Sequence, residues 1–301
     1  MLRRAGITSL LLIFALGGCG GSDDPSGRAA AVRGSARADV FVIVLENHSF
    51  GQVIGNPRAP FINHLTKLGT LFTDYRAVTH PSLPNYLAIL GGSTFGIDDD
   101  CTDCSAAGDN LALQLSRAGI TWRAYMEGMP SACFLDADEG RYVKKHNPFV
   151  YFPSITSDPG RCAEVVPAQR LAPDARRHRL PSFGWITPDL CHDAHDCSIA
   201  VADRYLSGLV PSLLERLSPH GFLVLTFDEG GDALSSEAGG GRIATILVGP
   251  PVRSGAKVAA PRGHFSLLRT LEGVFGVPYL RGATGASDLS GAFRGGSLPS
   301  F

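Results

Sequence analysis

The sequence predicts an α/β fold, a three-layer α/β/α sandwich with a mostly parallel central sheet, on three observations. Uninterrupted apolar, β-branched runs recur along the chain. Helical patterns opened by proline and closed by glycine lie between them. Three of the runs are closely followed by acidic or amide residues. Strands covered on both faces read as continuous apolar runs, and strands alternating with helices imply parallel pairing with helices on both sides.

The first run spans residues 40–45, and similar runs recur at 183–187, 222–227 and 243–248. Helical patterns fall at 60–68, 84–90, 109–118, 199–217 and 264–275. Pro60 and Pro84 stand where a first turn accepts proline, because the N–H there has no helical partner; Gly69 and Gly119 stand where a helix stops. Pro211 inside the 199–217 pattern predicts a kink or a division, since it removes a hydrogen bond and crowds the preceding turn.

The chain has 301 residues, 44% apolar, with a formal charge of -1. That is ample material for a large core, and it lacks the basic surplus of a nucleic-acid binder. No linker or repeat breaks the sequence after residue 40, so residues 39–301 read as one catalytic domain. Ahead of it come Arg3 and Arg4, an apolar run over residues 7–16, and Leu16-Gly17-Gly18-Cys19. A basic end, a short apolar stretch and small residues describe an export signal too short to span a bilayer. Residues 1–18 therefore read as a lipoprotein-type signal peptide with Cys19 at the acylation position, and residues 19–38 as a flexible tether. An ordinary signal with an incidental cysteine is the alternative. The expected location is periplasmic or cell-surface, on the outer face of a membrane through an acylated Cys19, or secreted.

Six further cysteines in an exported chain favour three disulfides. Six cysteines permit fifteen pairings; close spacing suggests Cys101 with Cys104 and Cys191 with Cys197, and elimination then Cys133 with Cys162. A zinc site of Cys191, His192, His195 and Cys197 is the rival, disfavoured by an oxidising compartment. The Asn47-His48-Ser49 sequon is read as chance.

In open α/β sheets the site lies beyond the carboxyl ends of the strands. Glu46 and Asn47 follow the first run, Asp189 to Asp196 follow the run at 183–187, and Asp228 and Glu229 follow the run at 222–227. So many acids at one edge repel one another without a cation, and hard oxygen donors with some imidazole suit one or two divalent ions among Zn, Mn, Ca and Mg. Taken singly, such acids often cap helices or face water. In Thr79-His80-Pro81-Ser82-Leu83-Pro84-Asn85, Ser82 falls at the expected N-cap of a helix, where unpaired N–H groups can hold an anion. A serine hydroxyl becomes a nucleophile once a metal or base lowers its pKa.

These residues assemble a mechanism in which Glu46, Asn47, Asp228 and Glu229 hold the cation and Ser82 attacks phosphorus. Asn85 could donate to a phosphoryl oxygen, and His80, His146 and His264 are candidates for protonating the leaving group or binding phosphate. Lys144, Lys145 and His146 could meet a phosphate or form a solvated turn. His264 could face the site or cap the last helix, and His178 and His220 are assigned to the surface.

The ordered set Glu46-Asn47, His80 through Ala88, Lys145 through Pro148, Asp193 through Asp196, Asp228-Glu229 and His264 resembles the phosphoesterase family of bacterial secreted acid phosphatases and phospholipases C. That family looks like a branch of the alkaline phosphatase superfamily, and the likeness covers residues 39–279. The resemblance implies an alkaline-phosphatase-like fold, hydrolysis of phosphate esters, metal ligation by Glu46, Asn47, Asp228 and Glu229, and Ser82 as nucleophile. By size the chain is more similar to the small acid phosphatases, and a phosphate ester, including a phospholipid or lipid phosphate, is the implied substrate. Two departures stand out: Ala194 where methionine is usual, and Asp189 where asparagine is frequent. They leave open whether this segment holds a second metal; Asp193 and His195 are taken as site residues. A phosphodiesterase or phospholipase C on the same scaffold, and a non-catalytic phosphate-binding lipoprotein, are the competing readings.

Overall fold

The computed structural model describes residues 38–231 and 239–301. The expected signal peptide, Cys19 and the tether up to residue 37 lie outside the described residues. Nine strands form one sheet: β1 (Ala38–Leu45), β2 (Thr70–Arg76), β3 (Trp122–Met126), β4 (Val165–Pro167), β5 (Phe183–Thr187), β6 (Leu217–Phe227), β7 (Arg242–Val248), β8 (Ala256–Val258) and β9 (Arg262–Gly263). The order is β8-β2-β7-β6-β1-β5-β3-β4, with β9 beside β2. Only β7 runs against its neighbours, β2 and β6; the remaining pairings are parallel. The predicted mostly parallel sheet is therefore present, with one antiparallel strand that apolar content alone could not orient.

β1 lies in the middle, and Val40 through Leu45 are fully buried, which explains their unbroken apolar character. It pairs with β5 at Phe41–Gly184 and with β6 at Val42–Val224. Glycine at 184 follows from packing, because a Cβ there would stand 2.4 Å from the Phe41 ring.

The longer helices are α1 (Pro60–Leu68), α2 (Ser82–Gly91), α3 (Leu111–Arg117), α4 (Leu171–Arg176), α5 (Ile199–Leu214) and α6 (His264–Phe275). Five of them pack in two groups, α1 with α5, and α2 with α6 and α3. Several boundaries differ from expectation. α2 begins at Ser82, so its N-cap is Pro81. α3 begins after Asn110, whose side chain caps Leu113. α5 stops before Leu217 because that residue already belongs to β6, and Pro211 leaves α5 undivided, three residues from its end. The three expected disulfides, Cys101–Cys104, Cys133–Cys162 and Cys191–Cys197, are all formed, which removes the cysteine thiolates that the rival zinc site needed.

Candidate active site at the carboxyl edge of the sheet

Backbone hydrogen bonds lock three strand ends together before any side chain is considered. Asp228 N–H donates to the Leu45 carbonyl (2.9 Å), and Glu46 N–H donates to the Asp193 carbonyl (2.9 Å). Asn47 N–H donates to Oδ1 of Asp228 (3.0 Å). Asn47 takes φ 42°, a left-handed conformation that asparagine tolerates better than most residues.

Ser82 arrives from a fourth direction, as the first residue of α2. The loop before it is shaped by Asn85, whose Oδ1 accepts from the N–H groups of Val78 (2.9 Å) and Thr79 (3.1 Å). Its Nδ2 donates to the carbonyls of Thr79 (2.8 Å) and Pro81 (3.0 Å). Both amide ends are thus engaged by the loop, with one further contact to Glu229 Oε2 at 3.3 Å, so Asn85 here places Ser82 where a phosphoryl donor had been expected. Ser82 is buried, not exposed, because the carboxylates close around it.

Its hydroxyl donates to Oε2 of Glu46 at 3.0 Å. The other Glu46 oxygen accepts from the Tyr86 hydroxyl, one turn along the same face of α2. His146 Nε2 stands 3.3 Å from Glu46 Oε2, and its Nδ1 3.3 Å from Asp193 Oδ2. Neither His146 Nε2 nor Asp193 Oδ2 makes a hydrogen bond, and the imidazole stacks on Tyr86 with 5.5 Å between ring centres. Asn47 directs its amide at Glu46 and Glu229; with the nitrogen facing them it donates to Glu46 Oε2 (3.3 Å) and Glu229 Oε1 (3.2 Å).

Burial raises the pKa of all four carboxylates. Burial and then the field of Asp228 push Glu46 well above the usual range and Glu229 up to about 9. Burial also pushes Asp193 up to about 8, and Asp228 upward against the hydrogen bonds that it accepts. His146 is pulled well below the ordinary imidazole value, by burial first and then by Lys145 and His195. Four buried acids, an amide oxygen and a neutral imidazole with orphaned donor atoms form a set that a divalent cation fits. Single donor atoms of Glu46, His146 and Asp193 all lie within 4.8 Å of one another.

A model of the phosphoesterase family matches residues 56–278. The chain belongs to the phosphoesterase family. It is 33% identical over 255 residues to a phosphatidylinositol-3-phosphatase of Mycobacterium tuberculosis, covering 84% of this chain and 82% of that protein. It is 35% identical over 232 residues to a phosphate-repressible acid phosphatase of Penicillium chrysogenum, covering 73% of this chain and 55% of that relative. Among solved structures, a Vibrio parahaemolyticus protein of the alkaline phosphatase superfamily shares the fold with a TM-score of 0.58 at 14% identity, over 84% of this chain and 72% of that one. The expected three-layer α/β fold is thus the phosphoesterase's fold, and the enzyme hydrolyses phosphoric esters.

The histidines of this phosphoesterase distribute differently from expectation. His264 opens α6 but turns inward, donating from Nε2 to the Asp228 carbonyl at 2.6 Å, with Tyr75 hydroxyl 3.4 Å from Nδ1. Burial lowers its pKa to about 4. It seats Asp228, and both ring nitrogens are taken, so it faces neither substrate nor leaving group. His146 is buried among the carboxylates, 3.3 Å from Glu46 Oε2 and 3.3 Å from Asp193 Oδ2. His80 keeps a partly exposed ring, with Nδ1 2.9 Å from Glu229 Oε2. His195, expected as a metal ligand, has Nδ1 2.8 Å from Asp196 Oδ1 and meets the cluster through a ring contact with His146 and through its backbone N–H. Asp193 does reach the cluster, while its Oδ1 accepts from His195 N–H at 2.7 Å.

Sequence reasoning missed Tyr86, Asp100 and Glu127. Tyr86 was readable, since it lies four residues after Ser82 on one helical face. Glu127 follows β3, a strand that the apolar pattern did not reveal; it stands 3.0 Å from Nδ1 of His192, in a second group completed by Asp189. A cavity of about 800 Å³ lies away from these residues, between the start of β3, α3 and the turn after α4, lined by Trp122, Arg123, Arg161 and Arg177. Chemistry, not volume, marks the site.

Proposed function

We propose that this phosphoesterase is a metal-dependent phosphomonoesterase of acid phosphatase type, acting through a phosphoserine. The observation that carries the reading is Ser82 at the first position of α2, its Oγ 3.0 Å from Glu46 within a cluster of four buried acids. The acid phosphatase relatives support the monoester preference, and the phosphatidylinositol-3-phosphatase relative makes a lipid phosphate a candidate substrate.

Glu46, Asn47, Asp228 and Glu229 would hold the divalent ion, with His146 and Asp193 beside it. Bound there, a cation supplies positive charge that favours ionisation of the Ser82 hydroxyl and offsets the charge of the phosphoryl oxygens. Glu46 Oε2 orients the hydroxyl and accepts its proton. Ser82 Oγ then attacks phosphorus in line; the Oγ–P bond forms, the ester P–O bond breaks, and the leaving oxygen takes a proton, for which we assign the partly exposed His80. Water next gives a proton back to His80 as its oxygen bonds to phosphorus; the Oγ–P bond breaks, inorganic phosphate leaves, and Ser82 Oγ recovers its proton from Glu46. Lys145, beside the same carboxylates, is suited to a phosphoryl oxygen.

Ser82→Ala is expected to abolish turnover of p-nitrophenyl phosphate while the protein stays folded, and wild-type activity should exceed that on the bis ester. Substantial residual turnover in Ser82→Ala would move the nucleophile elsewhere. The same reading places the enzyme outside the cytoplasm, held by an acylated Cys19; the three disulfides support an oxidising compartment. Cys19→Ser should shift the protein from the membrane fraction to the soluble one, and an unchanged distribution would rule the anchor out.

A further inference from the structure

The catalytic steps above leave Asp100 without a part, yet it touches two elements of the site at once. Its Oδ1 accepts from the backbone N–H of Leu83, next to Ser82 in α2, at 3.0 Å. Its Oδ2 accepts from Nζ of Lys145 at 2.9 Å. One carboxylate therefore bridges the nucleophile's helix and the 3-10 turn Lys144–His146, which carries His146.

The loop around Asp100 is anchored at several points. Asp99 Oδ1 accepts from Cys101 N–H (3.1 Å), and Tyr151 hydroxyl donates to the Cys101 carbonyl (2.9 Å). Lys144 Nζ donates to the Thr102 carbonyl (2.6 Å), and the Cys101–Cys104 disulfide closes the loop. A cap for α2 alone would need only the Leu83 contact; the second oxygen, spent on Lys145, calls for another explanation. A long lysine stem loses much rotamer freedom when a ligand fixes it, and a partner that fixes it beforehand removes that cost from the binding step.

We propose that Asp100 is a positioning residue for phosphate, presetting the Lys145 ammonium against α2 so that it meets the phosphoryl oxygens of an ester held at Ser82. The inference rests on Ser82 being the nucleophile of a phosphate ester hydrolase. It adds a residue that sets affinity for the phosphoryl group and for inorganic phosphate as product.

The test is a double-mutant cycle of Asp100→Asn, Lys145→Met and the pair, on the full chain. Each protein is measured for inhibition of p-nitrophenyl phosphate turnover by inorganic phosphate, and for direct phosphate binding by calorimetry. Asparagine keeps an oxygen for Leu83 N–H and removes only the charge facing Lys145. Asp100→Asn should raise both phosphate constants about tenfold, as loss of a charge-assisted hydrogen bond does. KM should rise more than kcat falls, with the melting temperature held. In the Lys145→Met background the same change should add nothing, because the two residues act as one unit. Asp100→Glu, which restores the charge, should stay within about threefold of wild type.

Unchanged or tighter phosphate binding in Asp100→Asn would overturn the proposal, tighter binding showing instead a carboxylate that competes with phosphate. An undiminished effect in the Lys145→Met background would overturn it as well. A wild type that neither turns over the ester nor binds phosphate would bring down the underlying function, and the inference with it. Normal wild-type turnover with additive variants brings down the inference alone.

Discussion

Glu272 shows how far one buried side chain can decide the response of the molecule to pH. It lies on α6, with Oε1 accepting from Leu280 N–H at 2.9 Å and Oε2 without a partner. Burial pushes its pKa from the reference 4.5 up to about 8, against the pull of that N–H and of Arg269 and Arg281. Between these two values the folded chain keeps the proton that the unfolded chain releases. The folded state binds more protons in this window, so the contribution is fully present below the unfolded value and is lost as pH rises towards about 8. Glu272→Gln should flatten this decline and melt higher than wild type at pH 8, read by thermal unfolding on both sides of the window. A glutamine variant less stable than wild type at pH 8 would show that the carboxyl is ionised in the fold. Glu46, Ser82 and Asp228 were legible because each follows an apolar run or opens a helix, positions that point at the reaction edge. The inward turn of His264 was not, because it depends on a backbone carbonyl 36 residues away along the chain.

Elements support one another in ways that propensity does not announce. α1 opens after Ala59, which offers no capping side chain, and Asp203 of α5 supplies the cap instead. Its carboxylate accepts from Phe61 N–H (3.1 Å) and Ile62 N–H (2.8 Å), joining two helices by a buried charge-assisted pair. Asp203→Ala should cost about 1–3 kcal/mol of stability, because it leaves two buried N–H groups unsatisfied. The loss is read by denaturant unfolding, with kcat held, because Asp203 touches no residue of the site. A loss below about 0.5 kcal/mol would mean that water replaces the cap. The central strands were legible as apolar runs covered on both faces. β2 and β3 were not, because each carries polar residues whose partners appear only after folding. Arg123 in β3, for example, pairs with Glu164 at the end of β4's approach and Asp174 of α4.

Across the whole molecule, the crowded acids of the reaction edge tie stability to the cation that they are suited to hold. Removing it returns four buried carboxylates to mutual repulsion or forces them to take up protons. A ligand at about 100 times its dissociation constant stabilises by about 2.7 kcal/mol. At about 2–4 °C per kcal/mol for a domain of this size, chelation should therefore lower the melting temperature by about 5–10 °C, with recovery on adding Mn or Zn. A melting temperature indifferent to chelators and added ions would argue that the acids are simply neutral. The sheet order that gathers these residues was only half legible: alternation gave parallel pairing, while the reversal of β7 depends on which edge its neighbours leave open.

The anchoring of Asp228 has a consequence for the newly made polypeptide. Its amide is held by Leu45, at the end of the first strand, and its carbonyl by His264, at the start of the last long helix. During synthesis Glu46 emerges early and His264 late, so a growing chain carries the acids and the serine long before they have a common seat. Asp228 therefore gains both backbone partners only once α6 has docked, and a chain truncated before His264 lacks one of them.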